Sequence, residues 1–171
     1  MTGGDTGNGR KAQLRERLDR ARQQFLEAAA ALSEEELTRP VGHESHWTAK
    51  DLIGHVAYAE AGMLPMARGA ATGEPHRVPP DFDIHRWNDS RVRRAREQSV
   101  PQLLARLEES RREALALLDE LSEADLDRPT NHTVVGETTV EGIFKIIAYH
   151  ERSHAEELRA VHEDTAGAPG A

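Results

Sequence analysis

Apolar residues recurring at intervals of three and four limit this chain more than any other feature of it. Over 10–32, Leu14, Leu18, Ala21, Phe25, Ala28 and Leu32 keep that spacing, which lines one face of an α-helix and cannot line one face of a strand, where the period is two. A second such stretch begins at Thr48, with Asp51 three residues on as a variant of the capping box, and runs to about Arg68. Residues 69–80 carry Gly69, Gly73, Pro75, Pro79 and Pro80 and read as a long loop of the kind that borders a site. A third region covers 82–121, with Leu103, Leu104, Leu107, Leu115, Leu118 and Leu121 as its core stripe. Ser99-Val100-Pro101 divides that region, since proline suits the first turn of a new helix and disfavours helix just before it. The last helix is expected from Thr138 or Thr139, boxed by Glu141, to about His162. Ala, Leu, Glu and Arg dominate while aromatics make up only 4%, the composition of packed helices rather than of a sheet.

The chain also repeats itself. LSEEELTRP at 32–40 and LSEADLDRP at 121–129 share Leu, Ser, Glu, Leu, Arg and Pro at equal offsets. Each copy follows a long helix and precedes a Thr-capped helix that carries histidine. The Ser-Glu pair is also a common capping solution, and the two readings are compatible. Together they predict an all-α fold, a four-helix bundle with an approximate internal two-fold repeat. One domain is expected over 10–163, between disordered tails at 1–9 and 164–171 whose Gly-rich composition buries nothing.

Composition removes several function classes. The chain has no cysteine, so disulfides, thiolate metal sites and cysteine nucleophiles are absent from it. A formal net charge of −8 opposes general affinity for nucleic-acid backbones. No stretch reaches the roughly 18 apolar residues of a membrane span and no signal peptide is read at the start, so a cytoplasmic protein without membrane contact is expected.

The informative residues are histidines placed where leucines belong. His55 lies three after Leu52 and four before Ala59, inside an apolar stripe. Ile143, Ile147, His150, His154, Leu158 and Val161 form another stripe, interrupted by a pair four residues apart whose side chains leave the same helix face. A pair alone arises easily by chance among nine histidines. Three facing one interior need a common reason, because a buried imidazole without a partner loses its hydrogen bonds to water. A divalent metal supplies that reason, and three imidazoles leave a coordination position open.

His43, His46, His76, His132 and His162 read as solvated. Asp51, Glu60 and Glu151 read as surface carboxylates; Glu60, five past His55, points off the ligand face. RVRRAR at 91–96 reads as solvated or paired. His85, Trp87 and His46 are the candidates for contact with a substrate, on their positions near the pocket mouth and the long loop, although an anchoring role is the stronger reading for Trp47 and Trp87.

HWTAKDLIGHVAYAE, a split third helix and GETTVEGIFKIIAYHERSHAEEL together resemble the DinB-like (YfiT-like) proteins. The resemblance covers about 15–161 and implies an up-down-down-up type of four-helix bundle. It implies Zn, Ni or a similar divalent ion held by one histidine of the second helix and a His-x-x-x-His pair of the fourth, here His55, His150 and His154. Family activities include S-transfer from low-molecular-weight thiols such as mycothiol or bacillithiol, a mycothiol-dependent maleylpyruvate isomerase, and hydrolase-like proteins that disarm a genotoxin. The isomerase branch commonly has Glu where this chain has His150, and an extra C-terminal domain that is not expected here. The resemblance thus implies a metal-dependent enzyme with a small-molecule substrate, foremost a thiol-dependent S-transferase acting on small electrophiles. A hydrolase and a non-catalytic metal-binding or sequestration protein are the alternatives. An Ala-rich bundle is compatible with a homodimer, but the sequence specifies no surface for one.

Overall fold

Thr48 and Asp51 hold each other's main-chain N–H groups in a capping box, Ser99 and Gln102 do the same, and the Asp83 side chain caps a third start. These devices set the helix boundaries in the computed structural model, which describes residues 6–42, 46–74 and 76–166. Residues 1–5, 43–45, 75 and 167–171, His43 and Pro75 among them, lie outside the described residues. The helices are α1 (Thr6–Ala30), α2 (Ala49–Ala71), α3 (Ile84–Arg96), α4 (Val100–Glu120), α5 (Glu123–Leu126) and α6 (Val140–Ala166). α1 and α6 pack together, α2 packs against α4 and α6, and α3 lies on α2. The four long helices form the expected bundle, with α3 and α4 as its divided third member.

The apolar stripes are the core. Leu14, Leu18, Ala21, Phe25 and Ala28 of α1 are buried, as are Ile143, Ile147, Leu158 and Val161 of α6. Each large side chain withdrawn from water this way stabilises the fold by about 1.5–3 kcal/mol. α2 is buried on nearly every side, and at Gly54 it approaches Ala95 so closely that a Cβ would collide with it.

Several boundaries differ from the sequence reading, among them the end of α6, at Ala166 rather than His162. α1 starts at Thr6, ahead of Arg10. α2 passes through Pro65 and Arg68 and ends where the Thr72 N–H closes on Arg68 O and Gly73, at φ +84°, turns the chain outward. α6 is capped by Thr139, whose hydroxyl accepts from Gly142 N at 3.1 Å; Thr138 is in a strand and Glu141 pairs with Arg10 and Lys145 instead.

That strand belongs to an element the periodicity does not announce. β1 (Pro129–His132) pairs antiparallel with β2 (Gly136–Thr139), Pro129 opposite Thr139 and His132 opposite Gly136. The repeat in the sequence explains where it sits. In the first copy, Ser33 and Glu36 exchange hydrogen bonds and a short 3₁₀ turn follows; in the second, Ser122 and Asp125 do the same and start α5. Pro40 then bridges Thr48 as Pro129 pairs Thr139. The first residue of the next helix bonds back to the arginine carbonyl in each copy, Ala49 N to Arg39 O and Val140 N to Arg128 O. The second copy differs in extending that single bridge into a hairpin.

Candidate metal centre

His55 comes from α2, His150 and His154 from successive turns of α6, and their rings meet edge on, with centroids 4.4–5.1 Å apart. His55 is buried beneath the Trp47 ring, 4.9 Å from it, and the other two are half-buried. His150 Nε2 lies 2.9 Å from His55 Nε2 and 3.1 Å from His154 Nε2. Burial, and then the neighbouring His154, push the His55 imidazole down to about 3. His150 is likewise held well below its ordinary value, by burial first and then by His154, His55 and His132. These two rings are therefore neutral at pH 7.

Whether these residues fit a cation can be read from their hydrogen bonds. His154 Nδ1 lies 3.1 Å from a Glu157 carboxylate oxygen, and the carboxyl is held below its usual range, chiefly by that bond. The carboxylate only accepts, so Nδ1 carries the proton and the Nε2 lone pair faces the cluster. A single proton on His150 Nε2 would have to serve His55 and His154 together. Three Nε2 lone pairs turned on one cation remove that conflict. Metal–nitrogen bonds of about 2.0–2.1 Å at ligand angles between octahedral and tetrahedral place ligand atoms about 2.8–3.4 Å apart, and the separations of His150 Nε2 from His55 Nε2 and His154 Nε2 fall in that range. All three Nε2-bearing side chains can offer ligand atoms within 4.8 Å of one another, and Glu157 is placed as the outer partner that orients a ligating histidine.

A cavity of about 210 Å³ opens beside the cluster and reaches His55 and His150. Its walls are Ala59, Met63 and Met66 of α2, Phe82 and His76 from the long loop, Ile84, Trp87 and Asn88 of α3, and His132 and Val134 of the hairpin. A larger groove of about 510 Å³ runs between α1 and α6, lined by Arg17, Arg20, Lys145 and Arg152, and contains none of the three histidines. Volume alone therefore does not choose the site.

The expected substrate contacts divide. Trp87 stands on the cavity wall, where Gly62 leaves room for its ring. His85 does not, because Asp83 accepts from His85 N and Arg86 N at 2.9 and 3.1 Å, which fixes a first turn that sends Ile84 and Trp87 inward and His85 to solvent. His46 is exposed and away from the cavity.

Several residues read as solvated are not. His132 is buried and lines the cavity, and half-buried His76 lines it as well. β1 alternates exposed and buried, which turns Thr130 and His132 to the interior. The β-prone run TNHTVV closed by Gly136 is the signal that could have shown it. Asp51 is buried beneath a two-point bond from Arg96, 2.9 Å on each arm; within RVRRAR, Arg91 covers Trp87. Glu60 and Glu151, expected at the surface, join Arg22 and Arg111 in a buried ring. Arg22 bonds Glu60 at 2.6 Å and also Glu151, and Arg111 bonds each glutamate at 2.8 Å. One member comes from each long helix. A buried carboxylate needs such partners, which is why Glu60 leaves the ligand face without reaching water.

Known proteins share this fold. A proposed metal-dependent hydrolase of Oceanobacillus iheyensis, OB0413, is 26% identical over 141 residues, 82% of this chain and 79% of that one. The structure of YfiT from Bacillus subtilis, described as a metal-dependent hydrolase by inference and as having an unusual four-helix bundle topology, superposes with a TM-score of 0.78 at 17% identity, covering 98% of this chain and 94% of its own. The mycothiol-dependent maleylpyruvate isomerase superposes with a TM-score of 0.70 at 20% identity over 85% of this chain, which spans only 60% of the isomerase's length. At those identities the two structures speak to the fold, the four-helix bundle. The model of the DinB superfamily matches residues 17–158, and on that match the chain belongs to this superfamily.

Proposed function

We propose that the chain is a divalent-metal-dependent enzyme that hydrolyses a small molecule, with His55, His150 and His154 as the metal ligands and Zn or Ni as the ion. The observation that carries this is the convergence of three imidazole Nε2 atoms beside an apolar cavity. A bound cation would supply a Lewis-acid position that lowers the pKa of a coordinated water or thiol toward neutrality. The chain's own residues do the rest. His154 is held in one tautomer by Glu157, Trp47 covers His55, and the apolar walls exclude water from a substrate lying on them. Hydrolysis of an ester or amide there adds the OH of water to the acyl carbon and its H to the leaving group.

A second reading, S-transfer from a low-molecular-weight thiol such as mycothiol, draws on the likeness to the mycothiol-dependent isomerase. It comes second because no Lys, Arg, Asp or Glu lines the cavity among the described residues, so a charged group of such a cosubstrate finds no counter-charge side chain inside. One experiment separates the readings. Protein prepared without chelator or affinity tag is assayed for Zn and Ni, then for turnover of 4-nitrophenyl acetate and 1-chloro-2,4-dinitrobenzene with and without mycothiol. Near-stoichiometric metal, lost in His150→Ala/His154→Ala with helical content kept, is the expected result. Thiol-independent ester hydrolysis then supports the hydrolase and thiol-dependent consumption of the chloroarene the transferase. Metal without turnover would leave a sequestration protein, and absence of metal after reconstitution would remove the centre.

A further inference from the structure

We propose that His132 is the fixed hydrogen-bond donor of the cavity, presenting Nε2–H to an acceptor oxygen of a small, uncharged, largely apolar substrate held beside the three histidines. The proposal rests on the metal-centre reading for its chemistry but on the hairpin for its geometry.

The hairpin assigns the proton. Val134 N and Val135 N each lie 3.2 Å from His132 Nδ1. A main-chain N–H only donates, so Nδ1 keeps its lone pair toward them and the neutral ring carries its proton on Nε2. A second proton would set N–H against two N–H groups. Burial acts in the same direction, lowering the imidazole pKa. The Nε2–H edge has no protein partner among the described residues, and the ring lines the cavity that reaches His55 and His150. His132 is therefore a neutral donor that stays a donor through neutral pH.

The same strand holds the donor in place. A two-stranded hairpin is marginal by itself, but Thr130, inward-facing two residues before His132, donates its hydroxyl proton to Met66 O at 3.0 Å in the buried interior. That bond fastens β1 to α2 on the cavity side. The walls then define the partner. Met63, Met66, Phe82, Ile84 and Trp87 offer dispersion contacts and no charge, so a carboxylate or ammonium lying against these walls, away from any bound cation, would be desolvated without compensation. A ligand lacking any acceptor would leave the His132 donor unpaired, which a site built to hydrogen-bond rejects strongly. The volume, about 210 Å³, is below the roughly 300–1,000 Å³ of sites for drug-sized ligands, which keeps the substrate small.

Benzamide, toluene and benzoate separate these requirements: a neutral ring with an acceptor oxygen, the ring without one, and the ring with a charge. The full chain, uniformly labelled with ¹⁵N, is titrated by NMR and calorimetry with all three while metal-free, so that no zinc offers benzoate a ligand position, and with benzamide and toluene again once loaded with zinc. The expected result is an Nε2–H tautomer for His132 at about pH 6 to 8 whose signal moves with benzamide, and weaker binding of toluene and benzoate. The variant His132→Asn keeps an acceptor for residues two and three along, as in an Asx turn, and withdraws the ring donor. It should bind benzamide about tenfold more weakly with zinc content and the Val134 and Val135 amide signals unchanged. If those amide signals are lost in the variant, the wild-type tautomer and the benzamide-induced shift decide instead. An Nδ1–H tautomer or an imidazolium, undetectable benzamide binding, tighter benzoate binding, or a variant within twofold of wild type would each overturn the proposal. Zinc content is read on the same samples, so failure to hold zinc sinks the metal reading separately, and the tautomer in zinc-free protein still decides the donor.

Discussion

The middle of the bundle contains two polar clusters that touch in sequence at His150 and Glu151, and they satisfy their atoms in opposite ways. In the ionic ring, each carboxylate of Glu60 and Glu151 accepts from Arg22 and from Arg111; Ser110 adds a bond to Glu60 at 2.9 Å, and the remaining arginine arms reach Leu107 O and Leu18 O. The ring lies where two apolar clusters meet, one holding Leu14, Leu18, Phe144 and Ile147, the other Phe25, Leu103, Leu107 and Leu158. Its four charges cancel and its partners are all inside the chain. The histidine cluster has three nitrogens crowded on one point, where one His150 proton cannot serve both neighbours. Buried polar groups in folded proteins are nearly always paired. A complete ring therefore reads as architecture, and an incomplete cluster beside it reads as a place for something from outside.

The largest expected effect breaks the complete cluster. Glu60→Ala leaves Arg22 and Arg111 buried with half their partners, and removing one member of such a group costs about 3–5 kcal/mol. Urea unfolding of the metal-free chain should show that loss, while the folded fraction still takes up zinc as wild type does. A loss below about 1 kcal/mol would mean that water enters the ring and that the two clusters are less different than their geometry indicates.

The sequence showed one of these clusters and hid the other, for a physical reason. His55, His150 and His154 are legible because a helix face is periodic and histidine is conspicuous among leucines; the same periodicity placed Leu14, Phe25, Ile143 and Leu158 in the core. Glu60 and Glu151 follow the rule that carboxylates face water until their partners are known, and those partners are distant in sequence, Arg22 and Arg111. No local pattern can report a pairing between four helices. His132 was hidden differently. Its strand is four residues long, too short for alternation to stand out, and its burial depends on Thr130 docking on α2. The repeat was legible in both copies, yet only the second was built out into a hairpin, and the built-out part holds the donor.

Acid sharpens the contrast because the two clusters respond with opposite signs. His55 has a folded value of about 3 against an ordinary 6.5. Above pH 6.5 it is neutral folded or unfolded, and its contribution to stability is fully present. Between 6.5 and about 3 the unfolded chain takes a proton that the folded chain refuses, so stability falls as pH falls, by about 1.4 kcal/mol per unit for this residue. Glu151 is raised above its ordinary 4.5 by burial, against the opposing pull of Arg111 and Arg22. In the window above 4.5 the folded chain keeps a proton the unfolded chain has released, so this group favours the folded state as pH falls. Urea midpoints of the metal-free chain at about pH 7 and 5.5 should decline for wild type and decline less for His55→Phe. Equal slopes would show that His55 is already protonated in the fold.

The smallest effect tests how the incomplete cluster is aimed. Glu157 touches no other member of it, and its side chain is 39% exposed, so Glu157→Ala should leave the stability of the metal-free chain within about 0.5 kcal/mol. It frees the His154 ring to turn and to exchange tautomers, and loss of such an outer partner lowers metal affinity about 10–100-fold. A zinc competition titration against a chelator measures this directly. Glu157→Gln discriminates between two explanations, because its carbonyl oxygen still accepts from His154 Nδ1–H while its charge is gone. Recovery to near wild-type affinity in Glu157→Gln means that Glu157 acts by fixing the tautomer and orientation of His154. Equal losses in the two variants would mean that it acts through its charge. The outer partner would then be an electrostatic neighbour of the cluster, like the carboxylates of the ring, and the line between the two clusters would have to be drawn elsewhere.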